Sequence, residues 1–418
     1  MCHHRHQWRN IGKNMIGFVD DTRKFNNQNT RADTLEDNVI LDLQQWKKST
    51  SLIAGKLNLT KCASYILTWE YNKKGYLQMN TNIEHGIKIQ DDDGTIKTIP
   101  SLSANEAYQY LGITTAPNGN RIDAKKRIHT LCSQFRMSMF RAPITHEEAY
   151  IALNVFFMPK ITYQLPCYYL HQNEMGNMQK IIEPVTISKI GFNNRWEKAL
   201  RYGNHDMGSL MIPHLHLEQT IQKLQFLIRA MKNAKTTQLI NNVLDIYQLQ
   251  LGVAHDIFKH PKAHQYTDSS WVSELVIAMS QYNIQLHRDH PTTFPPQREN
   301  DSHIMQLITQ NIRNVAEQKH LNTCRQYLKV ITVSDITTPC GCRLDDQYMS
   351  HRVHDSRYYW PRIERPPPNV WKMWRIALRR ILCKDLQTNE LKDEFKWGSG
   401  FSPRLKYTSV GDLLTPLV

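Results

Sequence analysis

Residues 14–25 read NMIGFVDDTRKF, with two adjacent aspartates, Asp20 and Asp21, set between short apolar runs. Met15, Ile16, Phe18 and Val19 lead into the pair and Phe25 follows it, which predicts strand, tight turn, strand over 11–25. The pair itself has two readings. Aspartate is a favoured turn former, so an Asp-Asp at a hairpin tip can be a plain solvated turn. The same tip can also aim two carboxylates outward, anchored by the flanking strands, to hold a divalent cation.

Working outward, Leu35, Val39, Leu43 and Trp46 recur at helical spacing behind an Asp33 or Thr34 cap, predicting a helix over 33–50. Gly55 punctuates the chain. ASYILTWEY is strand-like, and NKKG closes a hairpin onto YLQMN; GIKIQ and TIKTIP form another around DDDG. Residues 11–115 thus read as a compact α+β domain. After about 120 the pattern turns helical. Ile128, Leu131, Phe135 and Met139 mark one amphipathic helix, with Lys125, Lys126, Arg127 and Arg136 towards its other faces. THEEAY opens the next with a capping box between Thr145 and Glu148. Ile221, Leu224, Ile228 and Met231 mark another, and further helices fit 235–250, 271–287 and 303–330. HRDHPTTFPPQREND (287–301) and WPRIERPPPN (360–369) read as linkers, and no internal repeat is present.

The 418 residues are 40% hydrophobic and 22% charged, a composition that folds, and they are enough for two or three domains. The net charge of +14, beside 19 histidines, favours a polyanionic partner, because neutralising phosphates releases condensed counterions. No apolar run approaches the roughly 18–20 residues that span a bilayer. The opening MCHHRHQWRN lacks the apolar core of a secretory signal, so the expectation is an intracellular protein, nuclear or cytoplasmic, with no membrane partner. Its eight cysteines are scattered, which suits reduced thiols.

The ordered series FVDD, G-K-L-N-L-T-K and YLGI resembles the second half of the palm of a reverse transcriptase of the non-LTR retrotransposon type. The resemblance covers 11–115 and continues more loosely through a helical, basic segment including FFMPKITYQLP. MGSLMIPHL (207–215) is similar to a Gly-Gly-x-Gly-x-Pro stretch downstream of the thumb, with Ser209 and Met211 departing from it. The resemblance implies a partial palm over 1–115 and a thumb-like segment over 116–205; beyond about 250, where the match is thin, pattern and composition give a helical region over 206–360 and a proline-rich linker with a basic, tryptophan-containing tail over 361–418. It implies Mg²⁺-dependent (or Mn²⁺-dependent) nucleotidyl transfer, in which two metal ions about 3.5–4 Å apart neutralise the attacking and leaving oxygens. Asp20 would be the principal ligand and Asp21 its neighbour. Phe18 stands where Tyr or Phe is usual, and Val19 where Ala is commoner. Lys61, with Gly55, Leu57 and Asn58, would lie near the incoming triphosphate; its bland reading is a surface lysine beside a strand. Tyr110, Leu111 and Gly112 would form the primer grip, and Lys125, Lys126, Arg127 and Arg136 would bind RNA or DNA.

The family's palm also uses an aspartate that precedes the hairpin by several dozen residues, and MCHHRHQWRNIGK contains no acid. The expectation is therefore a C-terminal portion of a polymerase that does not polymerise alone. The alternative is a non-enzymatic nucleic-acid-binding or interaction protein built on the same scaffold. Two other groups carry chemistry. Cys340, Cys342, His351 and His354 have the donor types for Zn²⁺ but a Cys-x-Cys spacing tighter than usual, so zinc is not expected. NVWKMWRIALRRILCKDL (369–386) places Trp371, Trp374, Leu378, Ile381 and Leu382 on one stripe and Lys372, Arg375, Arg379 and Arg380 elsewhere. A tryptophan stripe beside cations suits single-stranded nucleic acid, and equally a helix packed on a core; the second is the expectation. CHHRH and HLH read as surface and turn histidines.

Overall fold

A computed structural model describes residues 15–18, 21–24, 32–52, 55, 58–65, 67, 69–71, 77–79, 87–91, 93–288, 291, 293–298, 301–349, 353–354, 356, 358, 360–361, 363–396, 406–410 and 413–417. It is mixed α+β and mainly helical, with its strands in antiparallel pairs. The chain divides into two compact units, one of residues 1–168 and 177–211, the other of 169–176 and 212–418.

The first unit opens with hairpin β1 (Met15–Phe18) and β2 (Asp21–Lys24), whose register pairs Phe18 with Asp21. The side chains of that hairpin, and all of Asp20, lie outside the described residues. Helix α1 (Ala32–Ser51) follows, then a single helical turn at Leu59–Lys61, and hairpin β3 (Trp69–Tyr71) and β4 (Leu77–Met79). In hairpin β5 (Ile87–Gln90) and β6 (Ile96–Ile99), alternate residues Ile87 and Ile89 are buried. With Ile99 and Leu59 they pack against Val39, Ile40 and Leu43 of α1. This small core is what a period of two on one element and of 3.6 on the other can build. The loop between β5 and β6 follows from its residues. Gly94 has φ 82, and the Asp93 carboxylate accepts from the Thr95 amide at 3.0 Å.

Strands β7 (Tyr108–Tyr110) and β8 (Ile113–Thr115) lead to α2 (Ile122–Arg141), which buries Ala124, Ile128, Cys132 and Met139. Helix α3 (His146–Ile151) carries the expected capping box: Thr145 Oγ1 accepts from the Glu148 amide, and Glu148 accepts from the Thr145 amide. The chain then widens into a π turn, Ala152–Phe157, before α4 (Met158–Thr162). Pro159 has no N–H to give to Val155, and its ring crowds that carbonyl, so a wider turn relieves both. Phe157 is turned inward to stack on Phe135 at 4.1 Å, while Val155 and Phe156 are exposed. Helix α5 (Gln172–Lys189), counted in this unit from Asn177 onward, and the short α6 (Lys198–Tyr202) follow.

The second unit holds α7 (Leu215–Lys232), α8 (Ala234–Leu251), α9 (Trp271–Gln281), α10 (Ile304–Asn311), α11 (Val315–Leu328), the single turn α12 (Asp346–Met349), α13 (Pro368–Leu382), and hairpin β9 (Lys406–Val410) and β10 (Leu413–Leu417). Trp371, Trp374, Leu378 and Ile381 of α13 enter one core with Leu244 and Leu251 of α8, Ile304 and Ile308 of α10, and Leu321 and Leu328 of α11. The tryptophan stripe expected to pack on a core thus supplies a central helix of this one. The two stretches read as linkers contribute Phe294 and Trp360, which are buried together with Leu249 and Ile331. An aromatic side chain among prolines is anchored by the apolar area that it hides. The stretch expected as one helix over 303–330 is two, α10 and α11, joined through Asn314, whose side chain caps the second at the Ala316 and Glu317 amides. Among the described residues, no helix is long and apolar enough to cross a membrane.

Candidate nucleic-acid interface

In the first unit the box ending at Lys61 is bonded to the segment that leads into the last box. Lys61 ends the short turn Leu59–Lys61, where its amide donates to the Asn58 carbonyl at 3.1 Å and its side chain is exposed. Tyr108 Oη donates to the Lys61 carbonyl at 2.5 Å. Ser64 donates to Pro100 at 3.0 Å and accepts from Leu102 at 2.8 Å, and Tyr65 Oη donates to the Glu106 carbonyl at 3.0 Å. Residues 58–65 and 100–108 are therefore laced together by main-chain amides and two tyrosine hydroxyls, all donating to main-chain carbonyls.

Tyr110, Leu111 and Gly112 form the tip of the β7–β8 hairpin. Leu111 has φ 50 and Gly112 φ 79. Two left-handed residues in a two-residue loop suit the right-handed twist of the paired strands. Glycine takes this conformation freely, whereas leucine pays a steric cost for it. The hairpin is tied down on its far side, where the Thr114 amide donates to Tyr168 Oη at 2.7 Å. The stretch 207–215 shows a related feature. Gly208 has φ 69, and Met211, standing where the resembled pattern has glycine, has φ 50.

The four cations of α2 do not share one role. Lys125, Lys126 and Arg136 are exposed. Arg127 is half-buried and donates from its guanidinium to Gln109 Oε1 of β7, so it joins the hairpin to the helix. At about 100° per residue, Lys125 and Arg136 project within about 20° of each other, and Phe140 about 60° from Lys125. Phe140 is 72% exposed. An aromatic face beside two cations on one helix is a surface on which a base can stack while its phosphate is neutralised. Sequence reading found the cations; the exposure of Phe140 it could not find, because only packing decides which aromatic is left out.

Asp20 lies outside the described residues and only the backbone of Asp21 lies within them. As donors, two carboxylates have the hard-oxygen chemistry that Mg²⁺ takes, so the residues fit that ion chemically. Among the described residues, no group of three or more His, Cys, Asp or Glu side chains is disposed to hold a metal ion. Of the zinc-type set, Cys340 and Cys342 lie in one loop, while His351 is outside the described residues. His354 Nδ1 is hydrogen-bonded to Tyr348 Oη at 2.8 Å. Trp371 and Trp374 are buried, as expected of a core stripe, and so offer no stacking face.

No protein-family model, no curated protein and no solved structure matches this chain.

Proposed function

We propose that this chain is a nucleic-acid-binding protein of reverse-transcriptase descent, the series FVDD, G-K-L-N-L-T-K and YLGI marking the later boxes of an RNA-directed DNA polymerase palm. The observation that carries the reading is the Tyr108–Lys61 hydrogen bond of 2.5 Å, which ties the box ending at Lys61 to the strand that runs into YLGI. Left-handed Met211, at a position where the resembled pattern has glycine, supports it independently. Asp20 and Asp21 would hold Mg²⁺, which when bound supplies charge neutralisation at a reacting phosphate. The residues of this chain have separate work: Lys125, Lys126 and Arg136 neutralise the backbone, and Phe140 stacks a base. The chain is expected to bind RNA or DNA through these residues.

Gel-shift titration of the purified chain with single-stranded RNA across salt concentrations tests this. The expected result is a linear fall of log affinity with log salt, with a slope of roughly −0.7 for each phosphate neutralised. Replacing Lys125, Lys126 and Arg136 by Ala should flatten the slope by about 2. No retention at low salt, or an unchanged slope in the triple variant, overturns the reading. Template-dependent primer extension that Asp20→Ala abolishes would show instead that the chain is a working polymerase.

A further inference from the structure

We propose that Cys340 and Cys342 form a thiol–disulfide exchange site, in which Cys340 attacks a small-molecule disulfide and Cys342 resolves the product into an intraloop Cys340–Cys342 disulfide. The site lies in the second unit and does not depend on the nucleic-acid reading.

The sequence TTPCGCR builds the loop. The Gly341 amide donates to the Thr338 carbonyl at 2.8 Å, closing a β-turn with Pro339 and Cys340 at its centre. Proline presets the first central position of such a turn. Gly341 then takes φ 67, which bends the chain back and which a larger residue would resist. The loop is pinned on both sides. The Thr338 amide donates to the Arg343 carbonyl and the Leu391 amide to the Cys342 carbonyl, each at 2.9 Å. Two residues of chain reach at most roughly 7 Å. The left-handed bend shortens that span towards the roughly 4.4–6.8 Å between Cα atoms of a disulfide. A pinned backbone holds the two sulfurs at a high effective concentration for each other.

The surroundings separate these thiols from the rest. Both are free, Cys340 exposed and Cys342 half-exposed. The Cys340 sulfur lies 3.1 Å from Thr338 Oγ1, and Cys342 Sγ donates to the Cys340 carbonyl at 3.4 Å. The hydroxyl of Thr338 holds the Cys340 thiol below its ordinary value, so more of it is thiolate, the nucleophilic form. Burial does the opposite elsewhere: it pushes Cys132 up to about 12 and Cys383 up to about 11, and it raises Cys324 as well.

The exchange balances with glutathione disulfide as oxidant. The Cys340 thiolate attacks one glutathione sulfur, the S–S bond breaks, and one glutathione thiolate leaves. Cys342 gives its proton to water and attacks the Cys340 sulfur of the mixed disulfide. The second glutathione leaves as thiolate and is protonated. Two protein thiols are oxidised and one small disulfide is reduced to two thiols.

The test equilibrates the full chain in oxidised and reduced glutathione at neutral pH, quenches with acid, alkylates with N-ethylmaleimide and digests with trypsin. Cleavage after Lys329 and Arg343 isolates Val330–Arg343, whose cysteines are Cys340 and Cys342 alone. The expected result in oxidised glutathione is a peptide that has lost two hydrogens and takes no maleimide, restored to two maleimides in reduced glutathione. The variant Cys342→Ser should instead keep one glutathione on Cys340. Two maleimides under oxidised glutathione would overturn the proposal. So would a stable glutathione adduct on the unsubstituted chain, or a Cys342→Ser chain that takes up no glutathione there.

Discussion

The Tyr108 hydroxyl donates a hydrogen bond of 2.5 Å to the carbonyl of Lys61, 47 residues earlier in the chain. It places a strand of the β7–β8 hairpin against the turn that carries the exposed lysine. Tyr108→Phe removes the donor and leaves the ring, so it should cost about 0.5–1.5 kcal/mol. Because the bond is local to 58–65 and 100–108, hydrogen exchange is the suitable readout. The Ser64 and Leu102 amides should exchange several-fold faster, with the second unit unchanged.

Left-handed backbone at Leu111 and Met211 gives a prediction of opposite sign. Both have φ 50, where a non-glycine side chain meets the following carbonyl. Met211 is also 51% exposed, so little packing is lost with its side chain. Leu111→Asn and Met211→Gly should each stabilise the first unit by about 0.5–1 kcal/mol, read as a higher urea midpoint. A fall in midpoint for Met211→Gly would mean that its side chain contributes more than its backbone costs.

Buried histidines set an acid limit on the second unit. His216 is 4% exposed and pushed down to about 4 by burial, with His214 and Lys223 adding positive charge nearby. His264 is 2% exposed and likewise pushed down to about 4 by burial, its ring nitrogens bonded to Tyr247 Oη and the Ile257 carbonyl. The folded pKa lies below the unfolded one, so the unfolded chain binds the proton first. Stability is therefore full above about pH 6.5 and lost as pH falls from there towards 4, by about 3 kcal/mol for each residue. Urea midpoints taken from pH 7.5 down to 4.5 should fall accordingly, and His264→Gln should make the fall shallower.

Gly252 sits against a buried charge. It closes α8 with φ 69, and a Cβ built on it would lie 2.7 Å from Arg325 Cζ. That guanidinium is fully buried, yet it donates to the Leu249, Gln250 and Val330 carbonyls at 2.6, 2.7 and 3.0 Å and to Asn322 Oδ1 at 2.8 Å. It also lies 5.4 Å from the centre of the Trp360 ring. Gly252→Ala should cost about 2–4 kcal/mol, backbone strain and overpacking together. Gly119→Ala is the control: its φ is also positive, at 77, but nothing lies within 4 Å, so only the backbone cost of about 1 kcal/mol remains.

Periodicity and turn chemistry were enough to place much of the local structure. The helix expected over 33–50 is Ala32–Ser51, the DDDG hairpin pairs Ile87 with Ile99, and the capping box of THEEAY forms with both of its bonds. These features are local, since each depends on residues within a few positions of one another. The aspartates of FVDD stand apart from them, for Asp20 lies outside the described residues and its role rests on the sequence series alone.

What the sequence by itself determined was where the chain turns, where it coils, and which boxes occur in what order. Tertiary structure alone decided that Arg127 joins a strand to a helix instead of facing solvent, and that Phe140 is left outside. It alone made Trp360 part of a core rather than of a linker. The physical reason is that an aromatic or a cation has the same local propensity whether buried or exposed. Only the partners that folding brings from distant segments fix which state has the lower free energy.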